Sequence, residues 1–350
     1  MSGLRTAAGG HKLGNMFKAQ NLSKPPLRIG GLALSGRALL APMAGITDAG
    51  LRRAAHRHGA PLTFCEMVAS SGLMEGDAEC VARAEAAPGA PFAVQLVGCE
   101  AGPMAEAARR LEAQGAELID INMGCPARRV AGALAGSALM RDLDAARRLL
   151  AAIVDAVNVP VTVKMRLGWD EGSRNAASLA AAAESVGVRL VTVHGRTRSQ
   201  FYKGAADWAA VAEVVSAVTI PVVVNGDGRS VGDAREMLKA SGASAVMIGR
   251  AAVGRPWLVG AVARALENGG EATAPPSAER HEDARAHLDH LLSRMGTLTG
   301  LRHARKHLAA YVEAENAPFE LRRTLVTTED PYKAFAHLAQ AYEPAIQVAA

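Results

Sequence analysis

Between Arg37 and about Gly249 the chain alternates short apolar segments with longer Ala-rich ones. The short segments are 38–43 (ALLAPM), 62–67 (LTFCEM), 92–97 (FAVQLV), 117–122 (ELIDIN), 160–166 (PVTVKMR), 189–195 (RLVTVHG), 221–225 (PVVVN) and 244–248 (SAVMI). Each is short and rich in branched aliphatic residues, as a buried strand is. The longer segments, 103–114, 142–156, 173–186, 207–217 and 230–240, carry apolar residues at three- and four-residue spacings, the pattern of a helix packed on a sheet. Eight β/α repeats in a little over 200 residues predict an α/β fold, a (β/α)8 TIM barrel of ~250 residues, rather than an open doubly wound sheet.

A further helix at about 256–267 precedes the Gly- and Pro-rich run Glu267–Ala278 (ENGGEATAPPSA), which reads as a linker. Beyond it, 279–350 shows helical periodicity without a convincing strand and predicts a small all-α bundle. The expected organisation is therefore a flexible basic tail (1–25), a barrel (26–266), a linker (267–278) and a helical domain (279–350).

Strand alternation then locates candidate chemistry. Ile119 and Ile121 share one strand face while Asp120 and Asn122 share the other. Val161 and Val163 likewise oppose Thr162, Lys164 and Arg166, and Val191 and Val193 oppose Thr192, His194 and Arg196. The outer barrel surface must pack on helices, so the polar set is expected inside, toward the C-terminal strand ends where barrel active sites lie. Such groups are costly to bury unless a ligand or one another satisfies them.

Lys164 is unusual in this chain, which uses 31 arginines and 8 lysines and has no other lysine between Lys24 and Lys203. A compact ammonium in that strand points to a ligand; the alternative is a structural ion pair with a carboxylate such as Asp120 or Glu66. The last two strands end in Asn225-Gly226-Asp227-Gly228 and Ile248-Gly249-Arg250. Loops after the seventh and eighth strands of a barrel often bind phosphate, and Gly249-Arg250 adds a guanidinium suited to it. Cys125 follows the fourth strand at the active face, where a mainly protonated thiol can donate a proton as readily as it can serve as a nucleophile. Cys65, Cys80 and Cys99 read as buried, inert thiols.

Composition narrows the class. Hydrophobic residues make up 49% and charged residues 21%, which argues against disorder. No apolar run approaches the ~20 residues that span a bilayer. The four cysteines show no CxxC pair, so neither a metal site nor a disulfide framework is expected. Reduced thiols and no secretory signal predict a cytoplasmic protein. The net charge of +5 is uneven: residues 1–37 carry +6, 38–276 sum to 0 and 277–350 to −1. Charge alone is therefore weak evidence for a nucleic-acid partner. The cationic run 302–307 of the helical region reads from its spacing as a solvated helix face.

Several motifs on this frame resemble the tRNA-dihydrouridine synthases: Ala41-Pro42-Met43-Ala44-Gly45-Ile46-Thr47-Asp48, Asp120 through Pro126, His194-Gly195-Arg196-Thr197-Arg198, Asn225-Gly226-Asp227 and Gly249-Arg250. The resemblance runs from about Pro26 to the C-terminus. Arg305-Lys306-His307 with Tyr311, and Arg322-Arg323, are similar to the helical domain of the bacterial DusB type. It implies a barrel holding FMN, reduced by NADPH, that reduces the C5=C6 bond of particular uridines in tRNA. Hydride would pass from flavin N5 to C6, with Cys125 protonating C5. Pro42, Met43 and Ala44 would back the flavin ring, and Gln95 and Lys164 would bond its polar edge. His194 would lie against the cofactor, and Asn225, Gly226, Asp227, Gly249 and Arg250 would hold its ribityl phosphate end.

The resemblance further implies substrate contacts from Asn122, Arg166, Arg196 and Tyr202 at the barrel. Arg302, Arg305, Lys306, His307, Arg322 and Arg323 would bind RNA from the helical domain. A monomer is expected. Arg128-Arg129 stand where the family commonly has two lysines, keeping the charge but changing its geometry. The competing readings are an FMN barrel acting on a free pyrimidine or another small enone, and dihydrouridine formation in ribosomal RNA.

Overall fold

Eight parallel strands pair in one sheet that curls on itself: β1 (Ala38–Leu40), β2 (Val68–Ala69), β3 (Ala93–Val97), β4 (Leu118–Met123), β5 (Val161–Arg166), β6 (Leu190–His194), β7 (Val222–Asn225) and β8 (Ala245–Ile248). The structure is a computed structural model that describes residues 26–127, 130 and 134–343. The expected tail 1–25, the Arg128-Arg129 pair and the last residues of the helical domain lie outside the described residues. Pairing runs β1-β8-β7-β6-β5-β4-β3-β2. Isolated bridges Leu40–Thr63 and Phe64–Ala93 close the ring. This is the TIM barrel predicted from the alternation.

The second strand departs from expectation. The 62–67 segment bridges its neighbours at Thr63 and Phe64 and is then interrupted before β2. Gln95 N donates to Cys65 Sγ at 3.4 Å instead of to a main-chain carbonyl. The ladder is displaced there while Glu66 reaches across to accept from Gly45 N. The first strand ends at Leu40, two residues before Pro42, which has no N–H to extend the ladder.

The barrel interior changes character along its axis. At the lower end Leu39, Phe64, Ala93, Leu118, Leu190, Val223 and Ala245 form one apolar cluster with Leu27, Ile29 and Leu34. These last three flank or belong to a small antiparallel hairpin, Arg28–Ile29 with Leu32–Ala33. One step up each strand the inward positions turn polar: Gln95 pairs in register with Asp120, Asp120 with Thr162, and Lys164 with Asn122 and Thr192. Helices such as Ala101–Ala113 and Leu143–Val154 cover the outer face, where the interleaved Ile119, Ile121, Val163, Val191 and Val193 are buried.

Beyond the helix Leu258–Asn268 the chain crosses to four helices, Ser277–Met295, Thr297–Ala314, Phe319–Thr327 and Pro331–Gln340. They share their own apolar cluster, including Leu288, Leu291, Leu301, Leu308, Val312 and Leu338. The bundle seats closely on the barrel. A Cβ on Gly254 would lie 2.2 Å from the Ala310 carbonyl oxygen, and Gly254 has φ +76, so only glycine is accommodated there.

Candidate active site

A cavity of about 970 Å³ opens at the C-terminal ends of the strands. Its floor is a buried hydrogen-bond chain. Thr162 Oγ1 donates to Asp120 Oδ1 (2.6 Å), Gln95 Nε2 donates to Asp120 Oδ2 (2.6 Å), and Asn122 Nδ2 donates to Gln95 Oε1 (2.8 Å). Burial raises the Asp120 carboxyl to about 6 against these two donations and the Lys164 charge. Strand alternation placed Asp120, Asn122 and Thr162 on the inward faces, and the structure shows them satisfied together with Gln95.

That chain ends at Cys125. Asn122 Oδ1 accepts from Gly124 N (3.1 Å) and Cys125 N (2.9 Å), while the Cys125 carbonyl accepts from Ser137 Oγ (2.8 Å). The thiol-bearing residue is thus clamped on both sides of its backbone, partly exposed on the cavity wall. Asn122 lines the same wall, but its oxygen is committed to the turn, so its first effect is to position Cys125.

Across the cavity, Lys164 Nζ donates to Asn225 Oδ1 at 2.9 Å, and Asn225 Nδ2 donates to the Met247 carbonyl at 2.8 Å. Among the described residues no carboxylate lies within ion-pair reach of Lys164, which disposes of the structural ion pair with Asp120 or Glu66. Burial, then the Arg166 charge, lowers the ammonium to about 8, with Asp120 pulling the other way. Burial with Lys164, Arg166, Arg196 and Arg250 drives His194 down to about 2, so its ring is neutral. Arg196 Nη1, which can only donate, meets His194 Nε2 at 3.2 Å; the ring proton therefore sits on Nδ1.

Arg196 is fully buried and fully engaged. It donates to both oxygens of Asp227 (3.0 and 2.6 Å) and to the carbonyls of Lys203 and Gly204. Arg166 donates to the carbonyls of Gly124, Thr197 and Phe201. Both expected substrate contacts are thus engaged in holding the loops of the cavity wall. Asp227 also accepts from Arg250 at 3.1 Å and from Ala206 N at 2.9 Å. Gly226 has φ +121, and a Cβ there would strike Ala206 and the His194 ring at 2.7 and 2.9 Å.

Pro42, Met43, Ala44, Gln95, Lys164, His194, Asn225, Gly226, Asp227, Gly249 and Arg250 all line this one cavity, with Asn122, Cys125, Arg166, Arg196 and Tyr202. The sequence reading overlooked Arg229, Arg255 and Met67, which line it too. Arg229 directly follows Gly228, and so was within reach of the glycine-loop argument.

The helical candidates divide. His307 is buried, against Asp48 and the His287 ring, so its expected RNA contact is withdrawn: the imidazole faces the barrel. Arg322 pairs with Glu313 at 2.5 Å and Arg323 with Glu320 at 2.6 Å, so both guanidiniums are engaged by carboxylates of the bundle. Arg302 is exposed, and Arg305 is half-buried. Lys306 reaches back to the barrel, its Nζ 3.2 Å from where a Cβ on Gly45 would sit. Asp48, His303 and His307 bring potential ligand atoms within 4.8 Å of one another, but the Lys306 ammonium stands 3.3 Å from His303 Nε2 and opposes a second cation there.

The thiols are also sorted. Cys65 is buried and pushed up to about 11 by burial, and burial raises Cys80. Cys99 is exposed, contrary to expectation, because it sits in the turn after β3 ahead of the Ala101–Ala113 helix.

Fold and cavity together define a barrel enzyme with its working face at the C-terminal strand ends. The family model for dihydrouridine synthase matches residues 39–347. The chain belongs to the dihydrouridine synthase family. It is 48% identical over 318 residues to a probable tRNA-dihydrouridine synthase of Rhodobacter capsulatus, covering 90% of this chain and 98% of that one. It is 44% identical over 307 residues to tRNA-dihydrouridine synthase B of Xanthomonas axonopodis pv. citri, covering 87% and 92%. Among solved structures, 6-hydroxypseudooxynicotine amine oxidase of Pseudomonas geniculata N1 is similar in fold, with a TM-score of 0.54 and 15% identity over 74% of this chain and 52% of that one. This chain spans about half of that oxidase's length, and the likeness concerns the barrel fold alone.

Proposed function

We propose that this protein reduces the C5=C6 bond of uridine in tRNA to 5,6-dihydrouridine, using FMN that NADPH reduces. The observation that carries the reading is Cys125, clamped by Asn122 and Ser137 on the wall of a cavity whose other side presents Lys164.

The cavity residues fit FMN. Pro42, Met43 and Ala44 provide an apolar wall, Lys164 a cation for the polar edge of an isoalloxazine, and Arg229, Arg250 and Arg255 cluster with the glycine loops as a phosphate would require. When bound, the flavin supplies the hydride for C6. Cys125 Sγ then delivers the proton to C5, at the far end of the double bond. Lys164 would hold positive charge toward the polar edge of the flavin, while Asn225 fixes the direction of its ammonium. Neutral His194 offers its Nδ1–H without adding charge. Asp120, Gln95 and Asn122 act beneath, keeping the Cys125 turn rigid.

A base must leave its stack to reach a barrel mouth. The helical domain, residues 279–350, grips the RNA for that step, with Arg302, Arg305 and Lys306 as its phosphate contacts. The enzyme acts as a cytoplasmic monomer; among the described residues no helix is long and apolar enough to cross a membrane.

Mass spectrometry of nucleosides from tRNA of a strain lacking the gene tests the reading. Dihydrouridine should vanish at particular positions and return with the wild type but not with Cys125→Ala. Unchanged tRNA dihydrouridine in a strain with no second synthase would sink the proposal and bring forward ribosomal RNA or a free pyrimidine as substrate.

A further inference from the structure

Arginine and aromatic side chains alternate across the active face in a continuous row that starts at the cavity. Tyr202 lies at the rim with the Arg250 guanidinium 5.3 Å from its ring centroid. Its chain neighbour Phe201 carries Arg198 at 5.1 Å, Arg198 also stacks on Trp169 at 4.3 Å, and Arg141 covers Trp169 at 4.9 Å. Apart from Arg250, which follows β8, these residues come from the loops after β4, β5 and β6, the first of which carries Cys125.

Several features show that the row is built at a cost. Phe201 has φ +52, a left-handed backbone that bulky residues avoid and that marks functional sites. Phe201 N donates to the Arg198 carbonyl (3.1 Å) and buried Arg166 donates to the Phe201 carbonyl (2.9 Å), holding it there. The strain leaves two consecutive aromatic rings, Phe201 and Tyr202, exposed to water. The Arg198 Nε is buried without a hydrogen-bond partner. The ion pairs nearby, Arg174 with Glu171 and Asp207, leave Arg141 and Arg198 out, so both keep their charge for another partner.

We propose that this row is a docking track for the single-stranded RNA next to the target uridine, with flanking bases stacking on the exposed rings of Phe201 and Tyr202 and the exposed Arg141 meeting the phosphates. The inference rests on the proposed function and extends it from the flipped base to its neighbours. Exposed rings stack bases without regard to sequence, and interleaved guanidiniums neutralise the backbone between them. A patch made only for folding stability would bury its rings and relax its backbone.

The test is tRNA binding by the flavin-loaded enzyme, measured by filter binding with an unmodified tRNA transcript across a salt series. Phe201→Gly is the decisive variant: glycine accepts the left-handed backbone, so the turn is kept while the stacking surface is lost. Phe201→Gly and Tyr202→Ala should each weaken binding roughly five-fold or more with an unchanged salt slope, and Tyr202→Phe should retain most of the affinity. Arg141→Ala should lower the slope of log affinity against log salt by about one. Flavin absorbance reports the integrity of each variant. Wild-type affinity in both Phe201→Gly and Tyr202→Ala overturns the track and leaves the proposed function standing. A wild type that binds no tRNA overturns both.

Discussion

His287 Nε2 stands 3.0 Å from both carboxylate oxygens of Asp48, a residue 239 positions earlier in the chain. Asp48 closes the loop that carries Pro42, Met43 and Ala44 and caps the helix Ala49–Arg57. His287 belongs to the Ser277–Met295 helix, and its Nδ1 meets the Tyr311 hydroxyl at 3.0 Å. One buried carboxylate therefore ties the cavity wall to the helical bundle.

This tie sets an acid dependence. Burial alone would raise the Asp48 carboxyl, but the charge and hydrogen bond of His287, then His307, outweigh it and hold the group far below its ordinary 3.8. A carboxyl lowered on folding adds stability that is full above the unfolded value and is lost as pH falls below it. Asp48→Asn should cost about 3 kcal/mol at pH 7, as breaking a buried pair does. The gap to wild type should narrow below about pH 4. Denaturant unfolding at pH 7 and in acid checks both; a constant gap would refute the assignment.

Lys164 predicts a basic limit for flavin binding. Its ammonium, lowered to about 8 mainly by burial, is charged at pH 7 and loses its proton through pH 8 to 9. FMN affinity, followed by flavin fluorescence, should be flat below about pH 7 and weaken toward roughly ten-fold per unit well above 8. Lys164→Met should bind FMN more weakly at neutral pH and show no such decline. An equal decline in the variant would place the titration elsewhere.

Gly254 predicts how firmly the bundle is seated. A methyl group there meets the Ala310 carbonyl at 2.2 Å on a backbone of φ +76, so Gly254→Ala must push the Thr297–Ala314 helix off the barrel. The expected result is a loss of about 2 kcal/mol or more. Proteolysis should cut earlier in the segment between Asn268 and Ser277 while the barrel keeps its flavin. Unaltered unfolding and cleavage would show that the contact yields without cost.

The strands were legible because their patterns are local. In β4, Asp120 and Asn122 alternate with Ile119 and Ile121, and a strand's two-residue period alone assigns them to opposite faces. The same logic singled out Lys164, and the glycines after β7 and β8 announced close backbone approach. The break between Phe64 and Val68 was not legible, since it depends on Cys65 Sγ taking the Gln95 N–H from a neighbouring strand.

Long-range partners account for the rest. Sequence alone established the barrel, its polar mouth and Cys125 at its rim, because these follow from periodicity and from the end of the barrel that carries chemistry. It left open what each polar group does. Only the folded chain brings Asp227 to Arg196, turning an expected substrate contact into a brace. Only there does His307 turn inward to Asp48 instead of outward to RNA. Helix spacing groups cations on a face without saying whether that face meets solvent or another element, and the packing of the bundle on the barrel decides it.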